Sequence, residues 1–493
     1  MKKRRAAGIL LHISSLPSPY GIGTFGEESY RFVDFLKSAG QTYWQVLPLG
    51  PTGYGDSPYQ VISSFAGNPY FIDLDYLVED GLLDGKDLVQ AKDSEPEGTV
   101  DYSKLFKERF SLLRKAYKKI DLIDRVEFEE FKLENSDWLE DYSLYMALKY
   151  KYDQKPYYEW PREVAKREVE TLEALRQELS VELEYWSFLQ YLFFFQWRNL
   201  KDYANKQGIN IIGDLPIYVG RDSADVWANP EVFCLDEDYS PILLSGVPPD
   251  YFSPQGQLWG NPVYDWEYLE ETDYSWWKSR ISQSKHIFDG LRLDHFRGFE
   301  SYWVVNSGNE TAVEGSWVKG PGMQFFESLK EELQGLEIIA EDLGFLTPEV
   351  YKLKYDTGYM GMAILQFAFD GNKDNPYLPY NFENNSVVYP GTHDNDTVRG
   401  WLSKLDEQSL SKVKDYLNEQ DDEKLVWEII RAAYSSVSSL CIVQFQDILE
   451  QGSECRMNTP SSKSGNWSWR LKREDIKDEI SEKLLELCRI YGR

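Results

Sequence analysis

The stretch Leu336-Glu337-Ile338-Ile339-Ala340-Glu341 is a short, mostly apolar run that ends in an acidic residue. Strands buried on both faces read as nearly continuous apolar runs, so this stretch predicts a strand of a parallel sheet. Seven further runs of this kind, most of which end in a polar or charged residue, span residues 8–12, 43–49, 209–214, 290–294, 360–367, 387–393 and 440–446. Eight such runs, mostly separated by helix-like segments, predict an α/β fold of the (β/α)8 TIM-barrel type.

The chain of 493 residues contains no repeat of fixed period and no flexible linker, so we expect one catalytic barrel over residues 1–493. The segment from about residue 80 to residue 184 is rich in Glu, Lys and Leu at helical spacing. This pattern predicts a mostly helical insertion between the second and third strands. Residues of about 221–285 are dense in Pro, Gly, Asp and aromatic residues, which predicts a loop-rich, substrate-binding insertion. We expect both insertions on the C-terminal face of the barrel, where such segments usually build the substrate site.

The composition limits the kinds of molecule that the protein is expected to bind. The chain carries 82 acidic and 53 basic side chains, which gives a formal net charge of -29. This charge argues against nucleic acid and anionic membranes as partners, because both are bound through Lys and Arg. The 34 Tyr and 16 Trp residues suit a surface that stacks on sugar rings, although a large aromatic core is the slightly better explanation on composition alone.

The cysteines and the amino terminus bear on where the protein resides. The 4 cysteines show no spacing that would form a zinc site or a redox pair. The amino terminus lacks the apolar region and cleavage site of a signal peptide. The most apolar stretch, residues 185–197, is too short and too polar to span a bilayer. These features predict a soluble, cytoplasmic protein with reduced thiols and no metal site.

Three acids, Asp294, Glu341 and Asp394, stand at the ends of predicted strands. Catalytic residues of a (β/α)8 barrel lie at the carboxyl ends of its strands, whereas a charge buried within a strand is costly. Cleavage of a glycosidic bond requires one carboxylate at the anomeric carbon and one carboxylic acid that protonates the leaving oxygen. Each acid alone could equally pair with an Arg or cap a helix, but the three together favour a glycosidic site.

Arg292 lies two residues before Asp294 and therefore on the same side of the strand. A charge-assisted hydrogen bond from Arg292 is expected to hold Asp294 ionised with a low pKa, as a nucleophile requires. Negative charge from Asp294 and Asp394 and limited solvation are expected to raise the pKa of Glu341, so that it is protonated at neutral pH. Asp214, at the end of the third strand, could hold a substrate hydroxyl or orient Arg292, and the sequence favours neither.

His295 and His393 stand beside two of the strand-end acids, and the chain contains 4 His in total. This placement favours hydrogen bonding to substrate hydroxyls over a purely structural role. No HExxH motif or Cys/His spacing supports a metal site.

Two aromatic loops are expected at the rim of the barrel. Tyr54 and Tyr59 belong to a turn-rich stretch after the second strand, and each could stack on a pyranose ring or pack the loop against the barrel. Tyr251 and Trp259 belong to a stiff, aromatic part of the second insertion. A loop of this kind could cover the cleft and keep water out.

Several longer motifs stand out as a set. They are Ser57-Pro58-Tyr59-Gln60, Phe65-Ala66-Gly67-Asn68-Pro69, the stretches 291–299, 340–344 and 391–397, and Arg456-Met457-Asn458-Thr459-Pro460 with Gly465-Asn466-Trp467. As a set they resemble the 4-α-glucanotransferases of the amylomaltase (disproportionating enzyme) family, a branch of the α-amylase superfamily. The resemblance covers residues of about 8–469, with departures at Cys455 and at residues 461–462.

The resemblance implies a retaining transfer in which Asp294 is the nucleophile, Glu341 is the general acid and then base, and Asp394 stabilises the transition state. It also implies that maltooligosaccharides and other α-1,4-glucans are the substrates and that neither a metal nor an organic cofactor takes part. The binding residues that it implies are Arg292, His393, Tyr59 and Asp214 around the reacting sugar, Tyr251 and Trp259 at acceptor subsites, and Tyr54 in a more remote glucan-binding groove.

Two alternatives to a transferase stay open. An amylase-like hydrolase would use the same acids, because water and the 4-hydroxyl of a glucan compete for the same glycosyl ester. A catalytically inactive glucan-binding protein would use the same cleft.

Overall fold

The computed structural model describes residues 5–53, 55–89, 91–92, 98–249, 253–460, 462 and 464–493. The strands in chain order are β1 (Ala6–Leu10), β2 (Tyr43–Gln45), β3 (Asn210–Leu215), β4 (Leu243–Val247), β5 (Gln257–Pro262), β6 (Gly290–Leu293), β7 (Ser301–Asn306), β8 (Gly315–Lys319), β9 (Glu337–Ala340), β10 (Gly361–Ile364), β11 (Ser386–Tyr389) and β12 (Leu440–Gln444).

Eight strands of the described chain form one parallel sheet that closes on itself. Around the sheet, the neighbours are β1, β2, β3, β6, β9, β10, β11 and β12, and β12 pairs with β1. A parallel bridge between Ile339 and Met360 joins β9 to the start of β10, where the backbone N–H of Met360 donates to the Ile338 carbonyl at 3.2 Å. The predicted (β/α)8 barrel is confirmed.

Helices flank this barrel and fill the segments between its strands. In chain order they are α1 (Glu27–Ser38), α2 (Leu74–Glu79), α3 (Tyr102–Tyr117), α4 (Arg125–Glu134), α5 (Leu139–Lys151), α6 (Arg162–Ala165), α7 (Val169–Glu178), α8 (Ser180–Lys206), α9 (Ala224–Ala228), α10 (Trp266–Glu271), α11 (Ser275–Ile287), α12 (Met323–Ser328), α13 (Lys330–Leu333), α14 (Pro348–Thr357), α15 (Val398–Lys404), α16 (Glu407–Leu417), α17 (Leu425–Ser435), α18 (Phe445–Ile448) and α19 (Asp478–Tyr491).

The chain between β2 and β3 is mostly helical where it is described. Helices α3, α4, α5 and α7 pack against α8, which runs directly into β3. The faces that meet are apolar: the ring of Trp186 in α8 lies 5.4 Å from that of Tyr150 in α5, and the ring of Phe188 in α8 lies 5.7 Å from that of Tyr117 in α3. The bounds of this region as an insertion stay a prediction.

Residues 221–285 differ from the loop-rich segment that the composition predicts. They contain α9, α10, β4, β5 and most of α11. Strands β4 and β5 belong to a four-stranded antiparallel sheet of order β5-β4-β7-β8, in which β7 and β8 follow β6. Pairing between strands that are distant in sequence stabilises this sheet, and a local composition cannot reveal such partners.

The interior of the barrel is apolar along most of its strands and polar at their carboxyl ends. Strands β6, β11 and β12 are buried along their whole length. Gly213 of β3 is required for close packing, because a Cβ there would lie 2.4 Å from the ring of Phe288. Gln45, Asp214 and Arg292 are buried polar side chains within the sheet, so the charged site is built on rigid strands. In the described part of the chain, no helix is both long and apolar enough to cross a membrane.

Candidate active site

Strand register places two acids level with each other at the carboxyl edge of the barrel. Leu293 of β6 pairs with Leu215 of β3 and with Ala340 of β9. The residues that follow Leu293 and Ala340 are Asp294 and Glu341, and the backbone N–H of Glu341 donates to the Leu293 carbonyl at 3.1 Å. The two side chains therefore leave neighbouring strands at one height.

One guanidinium joins the acids. Nη1 of Arg292 donates to both carboxylate oxygens of Asp214 at 2.7 Å and to Oδ1 of Asp294 at 3.1 Å. Nη2 of Arg292 lies 3.3 Å from Oε2 of Glu341. The side chain of Arg292 is 3% exposed and that of Asp214 is 0% exposed. The buried guanidinium of Arg292 thus contacts three carboxyl groups.

The surroundings of Glu341 favour its protonated form. Burial raises the pKa of Glu341 well above its ordinary value, and the negative charges of Asp294 and Asp394 add to this effect. Arg292 and the backbone N–H of His295, which donates to Oε2 at 2.5 Å, oppose the rise without cancelling it. His295 has a φ of 50°, in the left-handed region. The pKa of Glu341 is therefore raised, which is the direction expected from the sequence.

The expectation that Arg292 keeps the pKa of Asp294 low is wrong, because that pKa is raised. Burial raises the pKa of Asp294, and the charges of Asp214 and Asp394 act in the same direction against Arg292. A hydrogen bond between Glu341 and Asp294 lowers the pKa of Asp294. We assign the proton of this pair to Glu341, because Asp294 receives the direct hydrogen bond from Arg292.

Asp394 is ionised, and a loop far along the chain holds it. Nδ2 of Asn458 donates to Oδ1 of Asp394 at 2.6 Å, and Nη2 of Arg456 donates to its backbone carbonyl at 2.5 Å. Nε2 of His393 lies 3.3 Å from Oδ2. Burial favours the neutral form of Asp394, but His393 and Asn458 outweigh burial and lower its pKa below the ordinary range.

Tyr59 contacts both His393 and Asp214. The ring of Tyr59 is stacked on that of His393 at 5.3 Å, and its hydroxyl contacts Nε2 of His393 at 2.8 Å and donates to Oδ2 of Asp214 at 2.9 Å. Tyr59 lines the cleft. His393 and Asp214 are buried. This geometry favours the alternative in which Asp214 orients Arg292, and it gives His393 contacts to Tyr59 and Asp394.

Trp259 of β5 lies against the histidine that follows the nucleophile candidate. Its ring meets that of His295 edge to face at 4.8 Å. Burial lowers the pKa of His295 to about 3, and Arg297 contributes to this, so the imidazole is neutral. Nε2 of His295 is buried and has no hydrogen-bond partner within the described ranges. Tyr54 and Tyr251, predicted as glucan contacts, lie outside the described residues.

A cleft of about 3380 Å³ lies at the carboxyl end of the barrel. Its lining includes Asp294, Glu341, Asp394, Arg292 and Trp259. A cleft of this size holds several sugar units rather than one small ligand. Among the side chains that the structure describes, no group of three or more His, Cys, Asp or Glu residues is arranged to hold a metal ion.

Sequence reasoning did not single out Asn458, Arg456 or the backbone N–H of His295 as parts of the site. Asn458 and Arg456 belong to a motif on which the family resemblance rests, and the motif was the available signal. The N–H of His295 carries no side-chain signal, because its direction depends on the backbone turn after β6.

Comparison with known proteins gives a consistent result. Residues 11–476 match the family model for 4-alpha-glucanotransferase. The chain is 51% identical to a 4-alpha-glucanotransferase of Clostridium butyricum over 98% of this chain and 100% of that protein. It is 48% identical to that of Streptococcus pneumoniae over 100% of this chain and 98% of that protein. Among solved structures, the amylomaltase from Streptococcus agalactiae in complex with acarbose has a TM-score of 0.96 and 41% identity, and the match covers 99% of this chain and 100% of that one.

Proposed function

Because the chain belongs to the 4-alpha-glucanotransferase family, we propose that Asp294, Glu341 and Asp394 carry out its transfer reaction as nucleophile, acid–base and transition-state stabiliser. The activity itself is that of the family, the transfer of a segment of an α-1,4-glucan to the 4-hydroxyl of glucose or of another α-1,4-glucan. The observation that carries the assignment is the convergence of Asp294 and Glu341 on one buried Arg292 at the floor of the cleft.

The first step forms a glycosyl ester. A carboxylate oxygen of Asp294 attacks the anomeric carbon, and the bond between that carbon and the leaving oxygen breaks. The electron pair stays on the leaving oxygen, which takes the proton of Glu341. The Glu341 carboxylate formed in this step is stabilised by Nη2 of Arg292 and by the N–H of His295, which lie 3.3 Å and 2.5 Å from Oε2.

The second step transfers the sugar. The Glu341 carboxylate takes the proton of the acceptor 4-hydroxyl, whose oxygen attacks the anomeric carbon while the ester bond to Asp294 breaks. Two displacements on opposite faces retain the anomeric configuration. The contact of both carboxyl groups with the one Arg292 guanidinium, at 3.1 Å for Asp294 and 3.3 Å for Glu341, favours this course, because an inverting reaction needs room for a water molecule between two carboxyl groups.

Asp394 acts on the reacting sugar through charge. Its ionised carboxylate faces the cleft with a side chain that is 42% exposed, whereas His393 beside it is 4% exposed. A fixed negative charge stabilises the positive charge that develops on the sugar ring, and it also binds ring hydroxyls. Asn458 and His393 keep this carboxylate ionised and oriented.

We further propose that the substrates are maltooligosaccharides and that the protein works in the cytoplasm. The volume of the cleft, about 3380 Å³, supports the first proposal. The four cysteines of the chain, all described, are unpaired, which supports the second. Titration of the denatured, unreduced chain is expected to find four free thiols, and fewer would point to an oxidising compartment.

The test of function is the product pattern from maltotriose. The unmodified protein should give a ladder of products above three glucose units, whereas glucose and maltose alone would indicate a hydrolase. Asp294→Asn and Glu341→Gln should each lower turnover by roughly 10³-fold or more, with maltotriose binding changed only a few fold. The absence of turnover in the unmodified protein would favour the glucan-binding alternative.

Glu337→Gln is the matched control. Glu337 begins the strand whose carboxyl end carries Glu341, and Tyr43 is its hydrogen-bond partner at the other face of the barrel. Substitution at that face should leave the product ladder intact. Loss of the ladder in Glu337→Gln would mean that loss of folding, rather than of chemistry, explains the other variants.

A further inference from the structure

Two aromatic side chains stand exposed in the cleft on the side of Glu341, and the reaction steps do not use them. Phe345 is 78% exposed and Trp317 is 41% exposed. Both line the cleft. Exposed aromatic rings in the wall of a cleft that binds ligands are typical contact sites, since leaving them in water is unfavourable without a partner.

A buried guanidinium connects the two aromatic residues. Arg297 is 5% exposed. Its Nη1 donates to the backbone carbonyl of Phe345, and its Cζ lies 3.8 Å from the centroid of the Trp317 ring. We name this group of three residues, Arg297, Trp317 and Phe345, the aromatic shelf. One face of the Trp317 ring is thus covered by a cation, and the exposed part of the ring is left for a ligand.

Strand pairing holds Trp317 in place. Trp317 of β8 lies opposite Trp303 of β7 in the antiparallel register, and the two rings meet at 5.3 Å. Two strand positions further, Lys319 forms an ion pair with Glu300. A ring that is fixed before a ligand arrives loses little conformational entropy on binding. The Trp317 ring is therefore pre-organised.

The aromatic shelf lies close to the acid–base group along the chain, and both line the same cleft. Phe345 follows Glu341 by four residues. Arg297 follows His295 by two residues, and His295 donates its backbone N–H to Glu341 at 2.5 Å. A general acid stands beside the oxygen that joins the reacting sugar to the leaving segment. The leaving segment, and later the acceptor, therefore lies on the side of Glu341.

We propose that the aromatic shelf binds the glucose units of the acceptor that follow the reacting unit and so sets the preference for acceptor length. This inference rests on the proposed function of Glu341. The apolar face of a glucopyranose ring can stack on Trp317 or Phe345, and its hydroxyl groups stay in water. No charge on the ligand is needed, which fits a neutral glucan.

The experiment measures acceptor selectivity in full-length Phe345→Ala and Trp317→Ala variants. The donor is a maltoheptaose whose non-reducing end is blocked, so that it cannot act as an acceptor. The acceptors are glucose and maltotriose, and the quantity compared is the ratio of their KM values. Each substitution is expected to raise the KM of maltotriose relative to that of glucose by roughly two- to tenfold.

Tyr355→Ala is the matched control, because Tyr355 is an 84% exposed aromatic residue outside the lining of the cleft. Its ratio of KM values should equal that of the unmodified protein. An unchanged ratio in both shelf variants, or an equal change for glucose and maltotriose, would overturn the proposal.

Failure of the proposed function is recognised separately, because the unmodified protein would then form no transfer product. The shelf is tested in that case by calorimetric binding of maltotetraose in the Asp294→Asn background. A Kd raised at least about twofold by Phe345→Ala or Trp317→Ala supports the shelf, and an unchanged Kd in both overturns it.

Discussion

Replacing Asp214 with Asn tests how the floor of the cleft is held. Both oxygens of Asp214 accept from Nη1 of Arg292 at 2.7 Å, and both side chains are buried. Removal of one partner of a buried ion pair costs about 3–5 kcal/mol. Arg292 keeps contacts to Asp294 and Glu341, so we expect the lower end, about 3 kcal/mol of unfolding free energy.

The same substitution should also move the pH dependence. The charge of Asp214 contributes to the raised pKa of Asp294, so its removal lowers that pKa. A nucleophile must be ionised, and the acid limb of kcat/KM should therefore move to lower pH. The value of kcat should fall, because Arg292 loses its main partner. The value of KM should change little, because Asp214 does not line the cleft.

The measurements are urea unfolding and the pH dependence of maltotriose turnover, with Asp225→Asn as control. Asp225 is equally buried but accepts from Ser64, at 2.9 Å from both its backbone N–H and its hydroxyl. The control should leave the acid limb at the pH found for the unmodified protein. The reasoning is refuted if Asp214→Asn raises KM tenfold while stability and the acid limb stay unchanged, since Asp214 would then hold a sugar hydroxyl.

Three further predictions concern Asp394, Glu341 and Asp447. Asn458→Ala removes a 2.6 Å hydrogen bond to Asp394, and kcat should fall roughly tenfold or more, while the free energy of unfolding changes by about 1 kcal/mol. A kcat equal to that of the unmodified protein would show that this hydrogen bond does not contribute to turnover. Burial places the pKa of Glu341 well above 4.5, so turnover should persist at neutral pH and be lost on the alkaline side as Glu341 ionises. A kcat profile that declines from about pH 5 contradicts this, since an ordinary glutamate ionises there. Burial raises the pKa of Asp447 from 3.8 to about 7, so its contribution to stability is full below pH 3.8 and is lost as pH rises to about 7. Asp447→Asn should remove this pH-dependent loss of stability and raise the unfolding free energy at pH 8 by up to roughly 4 kcal/mol. An identical pH dependence of unfolding in the variant and the unmodified protein would contradict this prediction.

The barrel and its acids could be predicted because both depend on local patterns. A buried parallel strand is apolar throughout, and the residue that follows it falls at the edge of the sheet. This is why the runs that end at Asp294 and Glu341 were sufficient to place both acids. The alternation of a strand likewise put Arg292 on the same side as Asp294, where the structure has it.

The antiparallel sheet was not predictable in the same way. Strand β4 of the second insertion pairs with β7, which lies beyond barrel strand β6. A segment rich in Pro, Gly and aromatic residues looks irregular until its partner strand is known. The aromatic shelf depends on this sheet, because Trp317 belongs to β8.

The sequence by itself determined the fold and the identity of the strand-end acids, because periodicity and strand ends are properties of neighbouring residues. Only the tertiary structure decided which partner each acid has. Asn458 reaches Asp394 across 64 residues of chain, and the turn at His295 aims a backbone N–H at Glu341. The raised pKa of Asp294 was also decided there, since burial and the charges of distant residues exist only when the chain is folded.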